Sequence, residues 1–385
     1  MNIELLGVNR QNKGAELMMR ALLYKIKERE NDFVPVLGSG KGNIFLCKKE
    51  NMLALPVIKK RGAIFTLPYY LFGIARLFGF NFVDRKNIDV IFDASGFAYS
   101  SSWGKGPIFQ RINEISKWKK LDKNKKYIIL PQAFGPFDNA EMKVGITELI
   151  GLADLCFVRD IQSYKYLIQA GVNEESITIS PDFTCLIKPH KDIDKSLGGR
   201  VCIIPNYRML DKQDSSDSKR YITDMAAIIS ELNTKKVPTF MLIHDSGRDF
   251  ELAKKILLAS KVNQQHCPIV FESDPIKIKS TISLSKLVVG SRYHGLASAL
   301  SSGVPVIALG WSHKYRHIME DYNIGYLTDL IQEKGVEAIL SRVLEDSDFS
   351  SELLSKLSLG IEMVNSRSEL MWSHIWSVLE GQDYV

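Results

Sequence analysis

The stretch 287–315, LVVGSRYHGLASALSSGVPVIALGWSHKY, constrains the fold more than any other part of the chain. The apolar run 287–289 reads as a buried parallel strand, and Gly290 and Ser291 break it. Arg292-Tyr293-His294-Gly295 follow at the turn, small residues 296–300 begin a helix, Gly303 stops it, and 304–309 reads as a second buried strand. The result is a βαβ unit with a cation and an imidazole at the carboxyl end of its first strand. In an open α/β sheet ligands bind at that edge, beside the N–H groups of a helix start. Arg292 offers a planar, permanently charged fork suited to carboxylate or phosphate, and His294 a group that exchanges protons near neutrality. Ser312, His313 and Lys314 come at the same sheet edge after the second strand, so two cations and two imidazoles converge on one anion site. A Rossmann-type half in which the Arg and His only cap a helix satisfies the same pattern.

The segment SRYHGLASALSSGVPVIAL with its following loop lysine resembles the C-terminal signature of the polysaccharide pyruvyl transferase family. That signature runs Arg-x-His-Gly, small helical residues, Gly-x-Pro and an apolar strand, in fixed order. Weaker matches extend along the chain. Asn12-Lys13-Gly14-Ala15-Glu16 resembles the family's Asn-x-Gly-Asp-Glu turn, with Ala15 where an acidic residue is common. Gln132, Gly135 and Pro136 resemble its Gln-x-x-Gly-Pro, and Arg159-Asp160 with Ser163 its Val-Arg-Asp-x-x-Ser. His244 followed by Asp249 resembles its strand-end His and Asp, whereas DASGFAYS, 93–100, departs from the usual glycine triplet. The resemblance implies phosphoenolpyruvate as donor, with pyruvate transferred as a ketal onto two hydroxyls of a sugar.

At 385 residues the chain exceeds a usual single domain, so two are expected. The net charge of +6 suits acidic small substrates or an anionic membrane surface and is too mild for a nucleic-acid binder. Cys47, Cys156, Cys185, Cys202 and Cys267 are scattered, mostly in apolar runs, and read as reduced core residues. No Asp/Glu/His cluster has metal-ligand spacing, and no cofactor is expected beyond the co-substrate. Residues 2–6 read as a strand immediately after Met1, which predicts no signal peptide and a cytoplasmic protein, with the inner membrane face as a place of association.

The expected fold class is α/β: two Rossmann-like domains facing across a cleft, GT-B-like, as the family resemblance also implies. The lysine-, aspartate- and glycine-rich stretch 186–200 reads as the linker. It divides an N-terminal acceptor-side domain, 1–190, from a C-terminal donor-side domain, 200–355. Helices over 356–385, broken near Ser368, are expected to cross back to the first half. The segment 63–83 is the most apolar, with basic flanks. Two readings stand for it, a buried helix-loop segment or an interfacial element resting on anionic lipid.

In the second half, separate strand ends deliver Arg208, His244, Arg292, His294 and Lys314, with Ser291 and Gly295 beside them. His294 is the expected acid/base group at the donor and Arg292 the anion clamp; His244 is the alternative proton donor or a phosphate ligand. Glu16, Asp93, Asp182 and Gln132 are the acceptor-side candidates, the three carboxylates for the base. The acceptor is expected to be a sugar on a lipid-linked oligosaccharide. A nucleotide-sugar glycosyltransferase and a catalytically decayed scaffold are the competing readings.

Overall fold

The computed structural model describes residues 1–29, 32–40, 43–56, 58–60, 63–65, 79–190, 194–211, 215–244, 247–309 and 313–381. The chain forms two compact units. The first comprises Met1–Arg10, Met18–Phe183 and Glu369–Val385; the second comprises Gln11–Leu17 and Thr184–Ser368.

In unit 1 the strands are β1 (Asn2–Leu6), β2 (Val34–Gly38), β3 (Leu53–Leu55), β6 (Val90–Asp93), β7 (Lys126–Gln132), β8 (Leu155–Val158) and β9 (Thr178–Ile179). They form one parallel sheet in the order β3-β2-β1-β6-β7-β8-β9. A separate antiparallel pair, β4 (Ile58–Lys60) and β5 (Ala63–Phe65), precedes β6. Unit 2 has a five-stranded parallel sheet of β10 (Val201–Ile204), β11 (Thr239–Ile243), β12 (Ile269–Phe271), β13 (Leu287–Gly290) and β14 (Val306–Ala308). Its order is β12-β11-β10-β13-β14. Both sheets grow outward from a first strand in two directions, which is the doubly wound pattern.

The central strands of unit 2 are near-continuous apolar runs, VCII in β10 and LVVG in β13, and every residue in them is buried. Parallel strands covered on both faces by helices require this. Four helices matter below: α1 (Lys13–Lys27), α2 (Gly247–Ser260), α3 (Tyr293–Leu300) and α4 (Ser347–Glu380). Two of them serve both units. The first turn of α1 falls in unit 2 and the rest in unit 1; α4 gives residues up to Ser368 to unit 2 and those from Glu369 onward to unit 1.

The observed divisions differ from the sequence expectation in three places. The boundary lies at Phe183/Thr184 rather than in 186–200. The short segment Gln11–Leu17 belongs to unit 2 despite lying near the amino end. The last two expected helices are one helix of 34 residues, because Ser368 neither breaks the backbone ladder nor adds a bulky ring there. All five cysteines are buried and unbonded. Among the described residues no helix is long and apolar enough to cross a membrane. The middle of 63–83 lies outside the described residues, and with it the membrane-surface reading of that segment.

Candidate functional site

The site of unit 2 forms where β10 and β13 lie side by side and the strand order reverses. Gly290 ends β13 beside Ile204, and a Cβ there would sit 2.7 Å from the Ile204 carbonyl oxygen. Only glycine lets the two strand ends approach so closely. Ser291 then turns inward: its carbonyl accepts from Asn206 Nδ2 at 2.7 Å and Tyr315 Oη at 2.6 Å. Its Oγ lies 2.6 Å from Tyr221 Oη. Ser291 is fully buried, so it fixes the turn from below, a different place from the donor-facing one expected of it. Gly295 also acts through space, since a Cβ there would stand 3.0 Å from Ile204 Cδ1 and 3.4 Å from His244 Cδ2.

With the turn so held, Arg292 occupies the N-cap of α3, and His294 lies in the first helical turn. The positive end of the helix therefore adds to their field. Arg292 Nη2 donates to both carboxylate oxygens of Asp249 in α2, each at 2.5 Å. Asp249 is wholly buried and also accepts the backbone N–H of Tyr207 at 2.9 Å. The guanidinium is thus an oriented cation anchored from behind. Asp249 is the residue that sequence reasoning undervalued; its only signal was its position after the strand-end His244.

His244 follows β11 and is buried. Burial, together with the positive charges of Arg292, His294 and Lys13, pushes its imidazole down to about 3. Lys13 enters because Gln11–Leu17 packs as part of this unit. The same segment brings Gly14 against the ring of His294, and it puts Glu16 under Lys13 Nζ at 2.7 Å. Arg208 begins a short helix after β10, where its N–H donates to Asn206 Oδ1 at 3.0 Å, and its side chain is exposed. Lys314 lies in the helix His313–Asp321, but its side chain lies outside the described residues, as does Ser312. Unit 2 therefore brings His244, Arg292, His294 and Lys13 together near one strand end, with Asp249 and Glu16 paired to the two cations.

The sequence model of the polysaccharide pyruvyl transferases matches residues 12–313, most of the chain and all of this constellation. The chain belongs to the polysaccharide pyruvyl transferase family. It is accordingly a transferase. No curated protein matches it. Among solved structures it is similar to MnaA of S. aureus in a UDP co-structure, with TM-score 0.59, 12% identity, and 100% of each chain covered. It is similar to a glycosyltransferase from Rickettsia africae, with TM-score 0.58 and 12% identity over 99% of this chain and 97% of that one. A third is UDP-GlcNAc 2-epimerase from Neisseria meningitidis bound to UDP-GlcNAc, with TM-score 0.57 and 8% identity over 98% of this chain and 100% of that one. At these identities the likeness is one of fold, two parallel-sheet α/β units of the GT-B kind.

For this pyruvyl transferase family member, the remaining sequence candidates divide between the units. Glu16, expected on the acceptor side, packs with unit 2. Asp93, Gln132 and Asp182 lie at strand ends of unit 1. Asp93 is fully buried and accepts from Ser95 Oγ at 2.5 Å, Tyr99 Oη at 2.5 Å and Tyr127 Oη at 2.7 Å, with Arg111 Nε at 3.3 Å. Burial works to raise its pKa, but Arg111 and these hydroxyls outweigh it and hold the carboxyl below its ordinary value. Such a carboxylate ties the strand ends together and is a poor proton acceptor. Asp182 sits 3.7 Å from Arg159 Nη1, both buried. Gln132 is wholly buried, and neither polar atom of its side chain finds a hydrogen-bond partner among the described residues.

Proposed function

We propose that this transferase moves the pyruvyl group of phosphoenolpyruvate onto two hydroxyls of a sugar in a cell-surface polysaccharide or its lipid-linked precursor. The products are a pyruvate ketal and inorganic phosphate. One observation carries the reading: Arg292, anchored by Asp249, and His294 share the start of α3, with the buried His244 at the neighbouring strand end. A guanidinium beside a helix start suits a small anion, and phosphoenolpyruvate carries both a carboxylate and a phosphate.

The residues divide the work as follows. Arg292, aimed by Asp249, supplies its fixed positive charge to the donor's carboxylate or phosphate. The donor's negative charge offsets the cations around it, so binding favours a proton held within the site. His294 delivers that proton to the methylene carbon of the enol, and the adjacent carbon becomes the electrophile. The first sugar hydroxyl adds there and loses its proton to a base. Phosphate then departs with the C–O bond electrons, stabilised by the cations, and the second hydroxyl closes the ketal ring as its proton passes to the departing phosphate.

The experiment is phosphate release from phosphoenolpyruvate in the presence of lipid-linked oligosaccharides, with mass spectrometry of the glycan for a pyruvate adduct. His294→Ala is expected to slow it by about 100- to 10,000-fold. Turnover near that of the parent protein in His294→Ala would remove the histidine from the mechanism. A nucleotide-sugar donor is the second reading, favoured by the UDP of the staphylococcal neighbour and the UDP-GlcNAc of the meningococcal one.

A further inference from the structure

Gly14 stands in the first turn of α1, and its φ lies outside the left-handed region. Alanine would suit that backbone and favour the helix more, so conformational freedom does not account for the glycine. Space does. A Cβ at position 14 would lie 2.2 Å from Nδ1 of His294, 2.7 Å from its Cγ and 2.8 Å from its Cε1. Those separations are far inside van der Waals contact. The backbone of α1 is therefore flush against the imidazole.

The neighbouring residue completes the picture. Lys13 Nζ rests on Glu16 Oε2 at 2.7 Å, one residue before the glycine whose backbone abuts the His294 ring. Asn12 fixes the turn by accepting the Ala15 N–H on Oδ1 at 3.0 Å. A segment close to the amino end thus forms one wall of a site whose other groups come from residues 244–294.

We propose that the turn Asn12–Glu16 is a working part of the donor site, in which Gly14 seats His294 and Lys13 supplies a further cation to the donor's phosphate or carboxylate. Gly14 is a positioning residue. Lys13 is a binding residue, held in register by Glu16 until the anion arrives. An ammonium has three donors, so it can keep one on Glu16 and turn another to the donor. The donor's name rests on the phosphoenolpyruvate reading above; the role of the turn does not.

The test uses the full chain and two variants. Lys13→Met is expected to weaken phosphoenolpyruvate binding about 10- to 100-fold by titration calorimetry, as loss of a charge-assisted hydrogen bond does. Lys13→Arg restores part of it. In the absence of ligand, NMR titration of the His244 ring in Lys13→Met should show a higher pKa, because one repelling charge has gone. Gly14→Ala should lose some melting temperature to the overlap but keep its circular dichroism at the assay temperature, while kcat falls about 100-fold through displacement of His294. If the parent protein binds no phosphoenolpyruvate, the donor reading fails, and the His244 titration still decides whether Lys13 faces the site. Unmoved affinity and unmoved titration in Lys13→Met would overturn the role of Lys13. Full turnover in Gly14→Ala would overturn that of Gly14.

Discussion

Arg292 and Asp249 depend on each other in opposite ways. The aspartate, wholly buried, is tolerable only because a guanidinium and the Tyr207 N–H meet it. Replacing Asp249 by Ala leaves a largely buried cation without its carboxylate, a loss expected to cost about 3–5 kcal/mol in urea denaturation. Arg292→Lys keeps the charge but loses the planar fork, so it should retain more of the stability and little of the phosphate release. Equal stability of Asp249→Ala and the parent would show that the pair is not structural. His244 gives a second expectation, in pH. Its pKa is about 3 in the folded chain against an ordinary 6.5, so between those values the unfolded state binds a proton that the folded state refuses. Stability supplied by the neutral ring is complete above pH 6.5 and is lost as pH falls toward 3. His244→Gln should flatten the fall of melting temperature over pH 6.5 to 4; an unchanged slope would assign the acid sensitivity to other groups. At this scale the sequence was legible where a motif tied residue types together, as with Arg292 and His294. It was illegible where partners come from distant strands. Asp93 has the look of a free strand-end carboxylate until Tyr99, Tyr127 and Arg111 are seen to surround it.

Elements show a similar division. The apolar strands β10 and β13 were plain from their unbroken hydrophobic runs, because a parallel strand covered on both faces leaves no alternation to misread. Helix α4 was plain as helix, but its continuity was not, since serine at 368 gives no definite stop signal. Its final turns belong to the core of unit 1. Trp372 is 1% exposed and stacks on Trp376 with ring centroids 5.5 Å apart. Its edge contacts with Phe92 and Phe183 have centroids at 6.1 and 6.3 Å. Lys25 in α1 adds a pair of hydrogen bonds to Glu369, at 2.8 and 2.9 Å. Trp372→Ala should therefore cost about 3–5 kcal/mol, the usual scale for deleting a large buried aromatic. Urea unfolding followed by far-ultraviolet circular dichroism measures it. A loss below about 1 kcal/mol would mean that the residues after Ser368 are dispensable to that core.

At the scale of the whole chain, composition marks where a chain changes character but not which core a segment joins. The stretch 186–200 has the composition of a linker, yet the division falls just before it, at Phe183/Thr184, and Gln11–Leu17 is claimed by the unit whose other residues begin at Thr184. Local patterning carries no trace of that exchange, because Lys13 and Gly14 meet their partners more than two hundred residues away in sequence. The exchange bears on which ligand the fold accepts. The staphylococcal neighbour holds UDP and the meningococcal one UDP-GlcNAc, whereas the donor proposed above is a three-carbon phosphate. On the proposed reading Arg292, His294, His244 and Lys13 serve a compact dianion, and the nucleotide-sugar reading makes the opposite prediction for ligand binding. Phosphoenolpyruvate at about 100 times its Kd should therefore stabilise the folded protein by about 2.7 kcal/mol, seen as a rise in melting temperature. The rise should shrink with added salt only modestly, since partly buried charges are screened less than exposed ones. UDP at the same concentration should leave the melting temperature near that of the ligand-free protein. The reverse order, a rise with UDP and none with phosphoenolpyruvate, would assign the site to a nucleotide-sugar.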